Sequence, residues 1–543
     1  MNLATELAHI ITGDVDASEE TLARYSRDAS LFEVRPRVVV FPRDASDIQS
    51  LVRFARAHPE EKLSLTPRAA GTDMSGGPLN ESVVVDVGRF MNRILEVGEG
   101  YAVAEPGVYY RDFEKATLEK GYLLPTYPAS RELCMLGGMV ANNSGGEKTL
   151  AYGKTAHYVE ELEVVLADGN LYSIRPLSAR ELEEKRSEGA LEGAVYREMS
   201  ALLEHNKEVI RSAKPNVSKN AAGYALWDIE REGRFDLTRL FAGSQGTLGF
   251  ITKVRFRLVE PKRETKMLVM LMNDLEELGR LVRDVLAHSP ESFESYDDKT
   301  LRLVIRFLPD FIKLMGASNL FSLAVKFLPE IWMAARGGIP KLILMAEFSG
   351  DDLEDVERRA SEAERAARRH GVKTRLTRST EESKKYWLMR RESFNLLRHH
   401  IRDTRTAPFI DDIVVRPEHL PDFLPKLNEV LGRYDLIYTI AGHVGDGNFH
   451  IIPLMNLKDP KSREIIPALS EEVYDLVLSY GGSITGEHND GIIRTPYLEK
   501  MYGAEVCALF GRVKQIFDPE NIFNPGKKVG GTLSYAMEHL IAS

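Results

Sequence analysis

The chain has 543 residues, which predicts two or more domains, each able to bury its own core. Its net charge of -10 argues against nonspecific nucleic-acid binding, and two cysteines, Cys134 and Cys507, exclude a disulfide framework and a cluster on four thiolates. Residues 1–20 lack the pattern of a signal peptide, and no apolar run is long enough for a membrane span. We therefore expect a cytoplasmic protein.

The first half of the chain alternates predicted strands and helices. A strand at 37–42 precedes a candidate capping box of Ser46 and Gln49, after which apolar residues recur at helical spacing. A helix is predicted over 109–120, and Pro261 ends the last strand of this half, so we take it as the domain boundary. Further short strands are predicted at 63–67, 82–87 and 250–260.

Three glycine-rich loops connect these elements: "AAGTDMSGG", "LGGMVANNSGG" and "FAGSQGTLGF". Each alone is typical of a turn, but small residues let backbone N–H groups approach an anion, so together the loops favour a phosphate-bearing cofactor. The G-x-G-x-x-G fingerprint is absent, and "YGKT" at 152–155 has Lys148 where a nucleoside-triphosphate loop needs its leading glycine.

The second half predicts strand–helix–strand units, which are typical of an open sheet with helices on one face. Strands are expected at 266–272, 341–348, 435–442 and 449–455, and helices at 274–288, at 350–370, after Pro417 and at 461–480. Residues 301–341 are apolar with mostly basic charges. Helices of a domain core are the favoured interpretation, and a surface that docks on a membrane or a partner is the alternative.

One short stretch, "GHVGDGNFHII" at 442–452, places two histidines around glycines and an aspartate. A glycine-rich turn between two strands explains the glycines, and a metal held by both imidazoles would also explain the histidines. A third ligand is available in "TGEHND", where Glu487 is followed by His488. Two imidazoles and one carboxylate suit zinc, and also iron(II) or manganese.

Four segments of the first half, in their order along the chain, resemble the FAD-binding domain of the vanillyl-alcohol oxidase / p-cresol methylhydroxylase (PCMH) type: "PRAAGTDMSGG", "PASRELCMLGGMVANNSGG", "YGKTAHYVEELEVVLADG" and "LFAGSQGTLGFITKVRF". The resemblance implies FAD, with its pyrophosphate on the backbone amides of 67–77. The family usually has glycine where Ala69 and Ala70 stand, and alanine cannot take the glycine-only backbone angles. The implied FAD contacts are Pro67, Arg68, Ala69, Ala70, Gly71, Thr72, Asp73, Ser75, Pro128, Ser130, Gly137, Gly138, Ala141, Asn142, Tyr152, Gly153, Gly246, Thr247, Gly249, Ile251 and Asn524.

The motifs "HVGDGNFH", "GGSITGEHNDG" and "FDPENIFNPGK" resemble the C-terminal domain of FAD-linked D-2-hydroxy-acid dehydrogenases, which act on D-lactate, glycolate or D-2-hydroxyglutarate. In such enzymes two histidines and the glutamate bind the metal, and the next histidine is the base. The implied roles are metal ligand for His443, His450 and Glu487, base for His488, and substrate neighbour for Asn448. The family commonly has glycine after the base, whereas Asn489 follows here.

A carboxylate substrate also needs a cation. Arg390 in "YWLMRRESF" aligns best with an arginine of the family, and its guanidinium can bind a carboxylate through two bonds, although a solvated helix face is an equal alternative. Ile410 stands near the place where relatives that act on 2-hydroxyglutarate carry a lysine. This difference argues against a dicarboxylate substrate.

The resemblance implies an α+β protein in three parts. A two-subdomain PCMH-type FAD-binding domain is expected over 1–260, an antiparallel, ferredoxin-like cap domain for the substrate over 261–500, and a C-terminal segment over 501–543 that returns to the FAD domain. The cap domain is expected to place the metal and the base over the flavin.

The expected activity is oxidation of a D-2-hydroxy acid to the 2-oxo acid, with hydride passing to flavin N5. Electrons would leave to a quinone, an electron-transfer flavoprotein or an iron–sulfur partner subunit. Two further expectations are a peripheral contact with the inner membrane face through 301–341 and a homodimer. Two other classes stay open. One is a metallohydrolase, and the other is a non-redox flavin enzyme similar to alkylglycerone-phosphate synthase.

Overall fold

The computed structural model describes residues 2–300, 302, 340–379, 382–390 and 404–541. All but three residues of the apolar segment 301–341 lie outside this part, so the choice between core and docking surface stays open there. The main helices of eight or more residues are Leu3–Ile10, Ala45–Ala57, Tyr110–Leu118, Ala179–Ser187, Leu191–His205, Leu278–Leu286, Leu353–Arg368, Leu420–Gly432, Pro460–Ser479 and Leu498–Phe517.

The first sheet is small and mostly parallel. It has the order β1-β2-β4-β3, made of β1 (Asp14–Asp16), β2 (Val38–Phe41), β3 (Leu65–Arg68) and β4 (Val83–Asp86). The valine runs of β2 and β4 are wholly buried, as expected of a sheet covered on both faces. The capping box predicted at Ser46 is wrong. The helix Ala45–Ala57 begins two residues earlier, and the Asp44 carboxylate caps it by accepting from the backbone N–H groups of Ser46 and Asp47.

The second sheet is antiparallel and has five strands in the order β5-β6-β11-β7-β8. Its members are β5 (Ile94–Gly98), β6 (Tyr101–Ala104), β7 (Val159–Val165), β8 (Leu171–Ile174) and β11 (Phe250–Arg257), with a separate hairpin of β9 (Glu230–Arg231) and β10 (Arg234–Phe235). Along β11 buried residues alternate with partly exposed ones, which is the pattern of a strand with one face on a core.

The third sheet has eight strands, all paired antiparallel. Its main path is β15-β12-β14-β13-β18-β19-β16, and β17 pairs with β19. The strands are β12 (Glu264–Met272), β13 (Ser292–Asp297), β14 (Leu342–Gly350), β15 (Lys373–Leu376), β16 (Arg405–Thr406), β17 (Ile413–Val414), β18 (Ile437–His443) and β19 (Asn448–Met455).

This sheet is covered on both faces. The helices Leu278–Leu286 and Leu353–Arg368 pack on one face, with Leu268, Leu344 and their neighbours in one core. Alternate residues of the same strands, Met267, Val269, Ile343 and Met345, pack against Tyr386, Trp387 and Met389 of the helical segment 382–390. The predicted helices are present on one face, and the short segment 382–390, which the prediction did not include, covers part of the second face.

The C-terminal part of the chain returns to the first two sheets. The helix Leu498–Phe517 packs against Leu191–His205, and Phe523 forms a parallel bridge with Leu65 beside β3. Ile522 and Phe523 complete the core under the first sheet. The expected return of the C-terminal segment is confirmed, and it ties the loop after β3 to the far end of the chain.

Candidate active site

One cavity of about 1250 Å³ contains most of the predicted site. Its wall includes the side chains predicted for the metal, the base and the substrate carboxylate: His443, His450, Glu487, His488 and Arg390. The predicted FAD residues on the same wall are Pro67, Arg68, Ala69, Ala70, Gly71, Thr72, Asp73, Pro128, Ser130, Gly137, Gly138, Ala141, Asn142, Gly246, Gly249 and Ile251. The glycine loops and the histidine motifs, which are far apart in sequence, therefore face one space.

The glycine loops form a wall made largely of backbone. Gly71 and Gly246 have φ of 68° and 69°, a region that favours glycine. A Cβ on Gly246 would lie 2.2 Å from Pro67 Cγ, so a side chain there would push the two loops apart. Ala69 and Ala70 have no positive φ, which explains why alanine is tolerated at both positions. Small residues on this wall let backbone N–H groups approach an anion, which suits the pyrophosphate of a dinucleotide.

Five predicted FAD residues do not line the cavity: Ser75, Tyr152, Gly153, Thr247 and Asn524. The side chains of Ser75, Tyr152 and Asn524 have partners behind the wall instead. Ser75 donates to Asp73 Oδ1 (2.7 Å), and Tyr152 donates to Glu291 Oε1 (3.0 Å). Asn524 donates to the carbonyl oxygens of Gly77 (2.9 Å) and Gln245 (2.7 Å), so it fastens two glycine loops together.

The motif "GHVGDGNFH" forms the hairpin between β18 and β19. Its turn needs glycine, because Gly447 has φ of 66° and a Cβ there would lie 1.7 Å from the carbonyl oxygen of Val415. Across the hairpin the imidazole centroids of His443 and His450 are 5.3 Å apart, and those of His450 and His488 are 5.0 Å apart. The turn and the clustered histidines are both present.

Each of the three imidazoles has a buried carboxylate at Nδ1. His443 Nδ1 lies 2.6 Å from Glu294 Oε1, and His450 Nδ1 lies 3.1 Å from Asp411 Oδ1. His488 Nδ1 lies 2.7 Å from Asp411 Oδ2. A carboxylate at Nδ1 fixes the ring and leaves Nε2 for a metal or a proton, which is the usual support of a histidine ligand.

A second set of donors, Asp412, His450, Glu487 and His488, lies within 4.8 Å of one another. However, the Asp412 carboxylate already accepts four hydrogen bonds, from Asn448 Nδ2, Thr485 Oγ1 and the backbone N–H groups of Glu487 and His488. A carboxylate with four such hydrogen bonds stabilises the loop, and few of its lone pairs remain to bind a cation. In the predicted set, His443 Nε2 lies 3.5 Å from Glu487 Oε1, a separation that two ligands of one divalent ion can have.

The charges at this end of the cavity favour a cation. Burial tends to raise the pKa of Glu487, but Lys219 and His443 outweigh it and hold that pKa well below its usual range. Burial tends to lower the pKa of His488, but Asp411 and Asp412 outweigh it and raise the pKa to about 9. These two carboxylates therefore favour the protonated form of His488, the predicted base, when the ligands hold no metal.

Two predicted side chains have other neighbours than expected. Asn448 is fully buried behind the wall, where its Nδ2 donates to Asp412 Oδ1 (3.0 Å) and to the carbonyl oxygen of Ile413 (3.2 Å). The structure does not place it at the cavity. Arg390 lines the cavity, but its guanidinium also pairs with Glu294, the carboxylate that holds His443.

Three buried residues of the site were missed from the sequence: Lys219, Glu294 and Asp411. Asp411 gave a signal, because two adjacent acids in the apolar run "FIDDIVV" are costly to bury without partners. Lys219 and Glu294 gave none, since Glu487 and His443, which they contact, are 268 and 149 positions away in the sequence.

Comparison with known proteins agrees with this geometry. Residues 261–528 match the family described as FAD linked oxidases, C-terminal domain, and residues 36–175 match an FAD binding domain. The chain therefore combines an FAD binding domain with the C-terminal domain of FAD linked oxidases. The resemblance expected from the glycine loops and the histidine motifs is confirmed.

Curated relatives of this chain are named as dehydrogenases or oxidases of hydroxy acids. It is 28% identical to D-2-hydroxyglutarate dehydrogenase of Escherichia coli (strain K12) over 95% of this chain and 50% of that protein. It is 29% identical to glycolate oxidase subunit GlcD of Bacillus subtilis (strain 168) over 93% of this chain and 91% of that one. The chain spans about half the length of the D-2-hydroxyglutarate dehydrogenases that it matches most significantly.

Solved structures share the fold of this chain at low identity. The 4-ethylphenol oxidase from Gulosibacter chungangensis superposes with a TM-score of 0.69 at 16% identity, covering 98% of this chain and 97% of that one. p-Cresol methylhydroxylase gives a TM-score of 0.66 at 17% identity, covering 96% and 94%. The PCMH-type fold is confirmed. Among the described residues, no helix combines the length and the apolar character needed to cross a membrane.

Proposed function

We propose that this chain oxidises a D-2-hydroxy acid to the 2-oxo acid, with FAD in the glycine-lined part of the cavity and a divalent metal on His443, His450 and Glu487. The observation that carries the proposal is the shared cavity: predicted flavin residues and predicted metal ligands line one wall. The names of the curated relatives support the same reaction class.

When bound, FAD would accept hydride from the α-carbon, and the metal would polarise the substrate hydroxyl. The chain's own residues set the geometry for this. His488 stands beside the ligands and takes the hydroxyl proton, while Asp411 keeps its ring and that of His450 in place. His488 would lose affinity for its proton when a divalent ion is bound by the neighbouring ligands, and this would favour the neutral form that a base needs.

The substrate carboxylate would be bound on the same wall by Arg390, whose fork of five donors can serve Glu294 and a ligand together. Ile410 does not decide the substrate class, because it is fully buried in the core of the third sheet and does not line the cavity. Monocarboxylic and dicarboxylic hydroxy acids both remain within the proposal.

Electrons would pass from the flavin to a separate acceptor. Cys134 and Cys507 are the only cysteines of the chain, so it cannot hold a four-thiolate cluster of its own. A quinone, an electron-transfer flavoprotein or an iron–sulfur subunit would serve, and these carriers belong to the proposal.

The test is anaerobic mixing of the purified protein with D-lactate, glycolate, D-2-hydroxyglutarate and longer 2-hydroxy acids, followed by flavin absorbance near 450 nm. We expect at least one D-acid to bleach the flavin, and its L-enantiomer to leave it oxidised. A colourless protein that hydrolyses esters would favour a metallohydrolase. A yellow protein that no hydroxy acid bleaches would favour a non-redox flavin enzyme.

A further inference from the structure

A lysine with no solvent exposure lies beside the proposed metal site. Lys219 Nζ is 2.5 Å from Glu487 Oε1 and 3.3 Å from Asp446 Oδ2, and the three side chains are 0%, 7% and 5% exposed. A fully buried ammonium group is costly to desolvate unless charged partners surround it. Its two carboxylate partners come from the two motifs that bring the histidines together.

The segment around Lys219 is inserted between these motifs. Ser218 donates to the carbonyl oxygen of Asp446 (2.9 Å) in the β18–β19 turn. Farther along, the Ala221 N–H donates to the carbonyl oxygen of Thr485 (2.9 Å), and the Gly223 N–H donates to Asp490 Oδ2 (2.8 Å). Residues 218–223 thus fix the hairpin on one side and the Glu487 loop on the other.

We propose that Lys219 is a positioning residue of the metal site, which holds Glu487 against the β18–β19 hairpin in the orientation of a ligand. The ammonium group occupies Glu487 Oε1, so this carboxylate cannot rotate away while the imidazoles of His443 and His450 are fixed by their own carboxylates. Support of a metal ligand by such an outer contact commonly changes metal affinity by about 10- to 100-fold.

The inference rests on the proposed metal site, and its test measures metal binding directly. Zinc affinity is determined by chelator competition on FAD-loaded wild-type protein, Lys219→Met, Lys219→Arg and Lys214→Met. Lys214 is a matched control on the same segment, because its exposed ammonium pairs with Asp228 away from the site. FAD occupancy is read from the flavin absorbance of each sample.

We expect Lys219→Met to bind zinc about 10- to 100-fold more weakly while it keeps its FAD. Lys219→Arg, which retains the charge, should recover part of this loss, and Lys214→Met should match the wild type. Wild-type zinc affinity in Lys219→Met would overturn the inference. A wild-type protein that binds neither zinc, manganese nor iron(II) would instead overturn the proposed metal site.

If Lys219→Met does not fold, Asp446→Asn decides the question. This variant keeps all three proposed ligands and Lys219, but it removes the charge that anchors the lysine to the hairpin. We expect zinc to bind up to about tenfold more weakly. Unchanged zinc affinity in Asp446→Asn would contradict the idea that Lys219 spans the two motifs.

Discussion

The two ends of the cavity are built in different ways. The end proposed for FAD, here the flavin end, consists mainly of glycine loops, where Gly71 and Gly246 adopt backbone angles that favour glycine. The end proposed for the metal, here the metal end, consists of charged side chains, and each imidazole there has a buried carboxylate partner. Shape should therefore matter most at the flavin end, and charge at the metal end.

Removing the charge of one ligand should break the metal end alone. In Glu487→Gln we expect flavin reduction by the substrate to slow by more than about 100-fold, because a first ligand matters more than the outer contacts that cost up to that factor. Flavin absorbance should be retained, since the glycine loops are untouched. Stopped-flow flavin bleaching and metal analysis measure the two ends separately, and loss of FAD with metal retained would contradict the division.

A second variant removes the charge of a carboxylate that contacts two imidazoles of the metal end and is not itself a proposed ligand. Asp411 contacts both His450 and His488, so Asp411→Asn should lower the rate of flavin reduction by about 10- to 100-fold. Asp298→Asn is the control, since its carboxylate pairs with the exposed Arg302. A wild-type rate in Asp411→Asn would mean that the two rings need no such support.

Adding a single methyl group to a glycine loop should weaken FAD binding. Gly246→Ala places a Cβ at a positive φ and 2.2 Å from Pro67 Cγ, so we expect about tenfold weaker FAD binding from strain of about 1–2 kcal/mol. Gly432→Ala is the matched control, because its Cβ meets no atom within 4 Å and its φ is not positive. Metal binding should stay at the wild-type level in both variants, and FAD release by dialysis measures the effect.

The smallest expected effect is a change of folding stability at a residue that does not line the cavity. Gly511 lies inside the helix Leu498–Phe517, and a Cβ there meets no atom within 4 Å. Gly511→Ala should stabilise the folded state by about 0.5–1 kcal/mol, because alanine loses less backbone entropy in a helix. The shift of the urea midpoint checks this, and destabilisation would show that backbone freedom is needed there too.

Much of the framework could be predicted from the sequence, because hydrophobic periodicity reports local burial. Ile48, Leu51, Val52 and Ala55 share the buried face of their helix as predicted. The helix start was misplaced, since Asp44 and Ser46 are both good caps and only tertiary context selects one. The sequence of the helical segment 382–390 likewise did not indicate that this segment packs on the second face of the third sheet.

The site was less predictable, because it depends on contacts between distant segments. The histidines and Glu487 were found through their motifs, but Lys219 joins Glu487 across 268 positions of the chain and has an unremarkable sequence context. Asn448 lies inside a motif and still belongs behind the wall, because Asp412 and Ile413 use its amide. A sequence motif indicates which segments lie near the site, but only the packing of the folded chain decides which of their side chains reach the cavity.

The central claim is that a metal and a flavin share one cavity. The most direct measurement is diffraction from crystals of the FAD-loaded protein, with anomalous data at the absorption edge of the metal found in solution. We predict one anomalous peak about 2.0–2.2 Å from Nε2 of His443, Nε2 of His450 and a carboxylate oxygen of Glu487, facing the flavin. FAD in place with no peak at these residues, or with the peak elsewhere, would contradict the claim.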